Sequence, residues 1–231
     1  VPIQGGEIIT LNRPLPDHAT VDEYWITPDG AKVVYYSDQD VYFYKHLYVV
    51  PIAGGNTISL TADIPEGAIA SPSSALSKDA LLSPDGKWVL FTIKEDTYSQ
   101  NPYPHREIRM VSIDGGKSVV LARTSLPDHG GVFTPDSKLV IFTDDRNMDD
   151  IVELYSVSRD GGTSIKLSQP EQSVTEWQVT PDGKNVIYKT SSSGFYSVPT
   201  IGGAPVEFTG ITAFRVGIRT FSADGSKVIL T

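Results

Sequence analysis

The 231 residues carry a formal net charge of −9, a pI near 4.8 and no cysteine. That charge works against nucleic acid and anionic membrane surfaces as partners, and the missing thiols exclude disulfides, thiolate zinc sites and cysteine nucleophiles. Composition is that of an ordinary globular chain, at 39% hydrophobic and 20% charged, with no apolar run long enough for a membrane span and no basic-then-apolar leader.

In chain order, residues 1–11 read VPIQGGEIITL, a Gly-Gly turn signal followed by a short β-like run. A Leu-Pro-Asp-His stretch ending at His18 precedes a strand that carries Asp22 and Glu23, then ITPDGAKVVY from Ile26. VPIAGG ends at Gly55, and TADIPEGAIASPSSALSKD, 61–79, reads as a long connection. LSPDGKWVLF starts at Leu82, and IKEDTYSQNPYPHRE from Ile93 holds Tyr98, Tyr103, His105 and Arg106. VSIDGG ends at Gly116; its continuation GGKS imitates a phosphate loop but lacks the earlier glycine, Val111 standing there. A second Leu-Pro-Asp-His ends at His129, FTPDSKLVIF starts at Phe133, DDRNMDDIVE runs from Asp144, and VSRDGG ends at Gly162. VTPDGKNVIY from Val179, VPTIGG ending at Gly203, and FSADGSKVIL from Phe221 complete the series.

Two signals therefore alternate along the whole chain. In the first, Pro presets φ, Asp bonds the backbone ahead, and Gly takes a conformation other residues resist. A valine follows the Asp by four residues in each of five copies: Val33, Val89, Val140, Val186 and Val228. In the second, a valine precedes the first Gly by four: Val50, Val111, Val157 and Val198, with Val1 in the same relation to Gly5. Apolar alternation flanks both turns, so each unit reads strand a, Pro-Asp-Gly turn, strand b, variable loop, strand c, Gly-Gly turn, strand d. The motif aspartates, Asp29, Asp85, Asp136, Asp182 and Asp224, are spaced by 56, 51, 46 and 42 residues, the scale of a propeller blade.

The pattern predicts an all-β, five-bladed β-propeller of four-stranded antiparallel blades, a single domain over 1–231. Its blades span 12–61, 62–122, 123–168, 169–209, and 210–231 together with 1–11. The last blade is expected to close the ring by pairing N-terminal strands c and d with C-terminal strands a and b. The repeat resembles the TolB-like (PD40, WD40-like) propeller repeat over essentially the whole chain. That resemblance implies the fold and a secreted setting, periplasmic or extracellular, in a bacterium. It spans TolB, the propellers of prolyl-oligopeptidase-type peptidases and uncharacterised secreted proteins. TolB-like propellers are commonly six-bladed, where this chain counts five.

Meander geometry puts the short Pro-Asp-Gly and Gly-Gly turns on one face and the variable b-to-c loops and blade connections on the other. Binding concentrates on variable loops held by a rigid scaffold. The ligand contacts expected there are Tyr98, Tyr103, His105, Arg106, His18 and His129. The last two, with Asp17 and Asp128, could border the channel mouth as a metal or acid–base site; a polar loop residue copied twice is the plainer reading. Asp145, Asn147, Asp149 and Glu153 have the alternating oxygen spacing of a calcium loop, although Asp150 occupies the place where such loops need glycine. No other cofactor is expected. Asp22, Glu23, Glu176, Arg215 and Arg219, on or near inner strands, are expected to pair or hold water. With no G-x-S-x-G elbow and no H-E-x-x-H in the sequence, the leading expectation is a non-catalytic binding or scaffolding propeller for a protein or glycan. The alternatives are the propeller domain of a larger hydrolase or peptidase, and a propeller enzyme with its site at the channel mouth.

Overall fold

The computed structural model describes residues 3–42, 44–65, 68–72, 81–94, 106–124, 130–146, 150–211, 216–222 and 224–231. These hold eighteen strands and no helix. Blade one is β1 (Val21–Ile26), β2 (Lys32–Val41), β3 (Tyr44–Pro51) and β4 (Ile58–Ser59). Blade two is β5 (Ile69–Pro72), β6 (Trp88–Lys94), β7 (Arg106–Ser112) and β8 (Val119–Thr124). Blade three is β9 (Gly131–Phe133), β10 (Leu139–Asp144), β11 (Glu153–Ser158) and β12 (Ile165–Lys166). Blade four is β13 (Val174–Val179), β14 (Asn185–Thr190), β15 (Phe195–Pro199) and β16 (Val206–Glu207). Each is an antiparallel meander in chain order, and β17 (Ile218–Phe221) with β18 (Val228–Leu230) forms a two-stranded sheet.

The Pro-Asp-Gly turns are built by one repeated set of bonds. The Ser or Thr hydroxyl donates to the Asp carboxylate at 2.5–2.7 Å in all five copies. The same carboxylate accepts the amide two residues on, at 3.0–3.1 Å. Blade three departs in having Ser137 at the position of the glycine, with φ 60°. Its hydroxyl explains the exchange, for it accepts the Asp85 amide of blade two at 3.1 Å.

The two valine signals face each other: Val33 opposite Val50, Val89 opposite Val111, Val140 opposite Val157, Val186 opposite Val198. Two residues on, an aromatic of strand b stacks on an aromatic of strand c. The pairs Tyr35–Tyr48, Phe142–Tyr155 and Tyr188–Tyr196 have ring centroids 5.2–5.6 Å apart. The core lies between successive sheets, one apolar cluster per junction.

Two expectations are revised. Residues 61–79, read as a connection, contain β5: Ile69 and Pro72 pair with Lys94 and Phe91, and the strand line resumes at the Leu82–Val89 bridge. Strand a of blade two is therefore split by an insertion, which a search for one unbroken run misses. The second revision concerns ring closure. Among the described residues, 3–11 form no strand and do not pair with β18. They lie instead against blade one: a side chain at Gly54 would meet Ile9 Cγ2 at 3.0 Å, and Leu11 packs on Val33, Tyr35, Tyr48 and Val50. The apolar side of blade one holds this segment, and β18 keeps a free edge among the described residues.

Candidate functional site

The variable face of blade one holds a cleft of about 650 Å³ bordered by Asp40, Tyr44, His46, Tyr48, Thr61 and Pro65. Its floor comes from an irregularity in β2. Pairing with β3 runs regularly to Ser37 opposite His46, then jumps to Val41 opposite Tyr44. The displaced residues turn their polar groups to separate partners. Asp38 accepts the Thr20 amide at 2.7 Å, and Gln39 Oε1 accepts the Tyr35 hydroxyl at 3.0 Å. Asp40 accepts the Tyr48 hydroxyl at 3.0 Å and pairs with Arg13 at 3.2 Å. The Gln39 Nε2 donor is buried with no hydrogen-bond partner among the described residues.

His46 and Tyr48 form the wall. His46 Nδ1 lies 2.9 Å from Thr61 Oγ1, and its ring meets Tyr48 edge-on at 6.4 Å. Burial pushes the imidazole pKa down, against the pull of Asp40, so the ring is neutral near neutral pH. Burial and the bond to Asp40 push the Tyr48 phenol up. Thr61 is fully buried and its hydroxyl accepts the Leu47 amide at 3.2 Å, so the His46–Thr61 pair latches strand c to the end of strand d. The cleft thus offers a neutral imidazole and a carboxylate beside the exposed Tyr44 ring, with the Tyr48 phenol buried behind them on Asp40, chemistry suited to uncharged polar groups such as hydroxyls and amides.

Of the contacts expected from sequence, His18 lies in the Pro16–Ala19 turn with φ 70°, its ring 6.0 Å from that of Tyr42 at the rim of the b-to-c loop. Arg106 opens β7 opposite Lys94 and Thr124. Tyr98, Tyr103, His105 and His129 lie outside the described residues, as do Asn147 and Asp149 of the calcium spacing. Of the other two, Asp145 accepts the Asp150 amide at 3.0 Å, and Glu153 holds Lys166 and the Tyr155 hydroxyl. Among the described residues no group of three or more metal-ligating side chains is gathered.

A second cavity of about 710 Å³ follows the inner strands of blades one and two, bordered by Asp22, Glu23, Trp25 and Pro84. Asp22 is tied to Lys45 and to the Thr20 hydroxyl. Glu176 accepts the Ile218 amide at 2.9 Å and Arg219 donates to Thr231 Oγ1 at 3.0 Å; Arg215 lies outside the described residues. Asp22, Glu176 and Arg219 thus serve the scaffold. The sequence reading missed Asp40, Tyr44 and Tyr48, although the unusually long polar continuation of strand b, SDQD, marked the place.

Sheets stacked through one apolar cluster per junction, four of them four-stranded meanders, define a β-propeller, and comparison with known proteins agrees. No family model matches the sequence, and no curated protein matches it. Among solved structures, the chain is similar to a Bacteroides ovatus protein assigned as a dipeptidyl aminopeptidase IV, with TM-score 0.65 and 17% identity over 94% of this chain and 39% of that one. It is similar to prolyl oligopeptidase B from Galerina marginata, with TM-score 0.61 and 14% identity over 92% of this chain and 33% of that one. It is also similar to TolB from Acinetobacter baumannii, with TM-score 0.50 and 23% identity over 81% of this chain and 43% of that one. The chain thus spans less than half the length of each of these three.

Proposed function

We propose that this propeller is a non-catalytic binding module that recognises a protein or glycan through its variable-loop face, with the Asp40–His46–Tyr48 cleft as the principal contact. The observation that supports it is the cleft itself. It is open, lies where the loops vary, and combines the exposed Tyr44 ring with a neutral imidazole and the Asp40 carboxylate. A polar ligand entering there would meet groups already oriented by the scaffold, at little ordering cost. The setting this reading carries is periplasmic or extracellular, as the resemblance to secreted repeat proteins implies.

The test is a printed glycan array and a printed peptide array probed with the labelled chain, each hit then titrated by calorimetry. Binding that weakens at least roughly tenfold in both His46→Gln and Tyr44→Ala supports the reading. Hits that ignore both substitutions, or no hit on either array, overturn it. A second reading, a propeller domain serving a larger hydrolase, is favoured by the likeness to the two peptidases, of which the chain spans 39% and 33%.

A further inference from the structure

Strand c of blade one runs on past the end of its outer neighbour. Along β3, Leu47 turns both backbone groups toward strand d: its C=O accepts the Leu60 amide at 2.8 Å, and its N–H donates to Thr61 Oγ1 at 3.2 Å. A strand presents the same edge every second residue, so Lys45 turns its N–H and C=O the same way. Strand d has ended by then. Its continuation closes a turn, with the Ile64 amide on the Thr61 carbonyl at 3.4 Å, and among the described residues neither backbone group of Lys45 has a partner.

The other blades show what occupies this place. In blade three Leu154 makes the two bonds of Leu47, accepting the Leu167 amide at 2.7 Å and donating to Ser168 Oγ at 3.0 Å. Two residues earlier, Val152 donates its N–H to Ser173 Oγ at 3.1 Å and accepts the Val174 amide at 2.7 Å, so the chain lays the start of β13 along that edge. In blade two β8 itself runs further, and Thr124 lies opposite Arg106. In blade four β15 begins only at Phe195, after a tight hairpin, and has no such extension. Blade one has the extension without the cover.

We propose that the edge at Lys45 takes an extended, uncharged segment of a partner protein, added to blade one as a strand beyond the end of β4. The inference rests on the cleft above being the binding site, and it names the ligand class. The cleft of about 650 Å³ lies along this edge, with Tyr44 and His46 on one side and Ile64 and Pro65 on the other. It is internal to the fold, between strand c and the connection that follows strand d, and Arg13 spans its flank by bonds to Asp40 and the Thr57 carbonyl at 3.2 and 3.4 Å. A main-chain donor and acceptor on one edge residue are met together by another main chain, which is how strand addition gains its affinity. The charged groups nearby are already paired, Asp40 with Arg13 and Lys45 with Asp22, which favours an uncharged segment. Val174, which makes the equivalent bond in blade three, is 6% exposed in an apolar cluster, so the corresponding residue of the segment is aliphatic.

The test prints short uncharged peptides beside neutral glycans and probes both with the labelled chain. The best peptide is then remade with one N-methyl amide at a time and titrated by calorimetry. Strand addition predicts alternation: methylating every second amide of the bound stretch weakens binding roughly tenfold, and methylating those between leaves it unchanged. Lys45→Pro and Lys45→Ala both lose the ion pair to Asp22, but only Lys45→Pro also loses the edge N–H, at a place where an edge strand tolerates proline. With folding checked by thermal melts, K45P is expected to bind that peptide roughly tenfold more weakly than K45A. If K45P does not fold, the N-methyl series decides. Losses without alternation, or equal binding by the two folded variants, overturn the proposal. Glycan hits that weaken in His46→Gln and Tyr44→Ala, with no peptide hit, also overturn it but leave the binding module standing. No hit on either array overturns both.

Discussion

Truncating the same repeat position in two blades separates burial from sequence. Ile141 and Ile229 both follow a motif valine, but Ile141 is fully buried between blades three and four whereas Ile229 is 52% exposed. Ile141→Ala removes three buried carbons, worth about 0.8 kcal/mol each in transfer, and leaves a cavity among Leu154, Val186 and Tyr188 that adds about 1 kcal/mol. The expected loss is about 3–4 kcal/mol. At Ile229 roughly half of that surface is already in water and no cavity closes, so Ile229→Ala is expected to cost about 1 kcal/mol. Urea titration, followed by tryptophan fluorescence, reads both. Trp177 belongs to the same cluster as Ile141 and reports that junction directly. Equal losses at the two sites would refute the argument that junction burial, rather than strand propensity, sets the worth of this position.

Ser137 permits a sharper dissection of one turn. Ser137→Ala keeps the positive φ and loses the bond to the Asp85 amide, so a loss of about 1 kcal/mol or more is expected in the same titration. Ser137→Gly loses that bond but relieves the backbone, and is expected to be nearly neutral. The five motif aspartates set the acid limit. The Thr or Ser hydroxyl is the leading cause that holds Asp29, Asp136, Asp182 and Asp224 below their ordinary pKa of 3.8, Asp224 at about 2. At Asp85 burial opposes the shift, and the bonds from Ser83 and Lys87 overcome it. Because these values are lower in the native state, the stability they contribute is complete above the unfolded value and drains as pH falls through the folded ones. The melting temperature is expected to be flat above about pH 5 and to fall between about pH 4 and about pH 2, less steeply in Asp224→Asn. An Asp224→Asn chain with the wild-type slope would count against the turn bonds as its source.

What the sequence disclosed follows the reach of each interaction. The Pro-Asp-Gly turn closes its hydrogen bonds within six residues, from Thr27 to Lys32 in blade one, so the motif contains its own structure. The facing valines were legible for the same reason, since a meander pairs strands b and c across a single loop. The cleft was not, because it depends on Asp38, Gln39 and Asp40 leaving the regular pairing of β2, and alternation cannot show a break in register. Split strand a of blade two was hidden similarly: β5 is defined by its pairing to Lys94 through Phe91, on a strand that follows only after a long insertion.

The opening segment shows the same boundary from both sides. Gly5 and Gly6 have φ values of 90° and 139°, against 84–92° and 108–144° in the four turns between strands c and d. Ile9 stands over Gly54 as Ile58 stands over Gly115 and Ile165 over Gly202. Leu11 occupies the place of Leu60, Leu121 and Leu167, each buried against the following blade. Residues 5–11 therefore take the place of a strand d against blade one, keeping its Gly-Gly turn geometry but forming no strand. The partner for that strand is not encoded in it. Pairing is a property of two edges, and β18 and this segment each present one without meeting. The same logic governs Ile229, which is as recognisable in the repeat as Ile141 but is 52% exposed where Ile141 is fully buried. In a repeat fold, sequence specifies the unit, and stacking decides which of its faces end up dry.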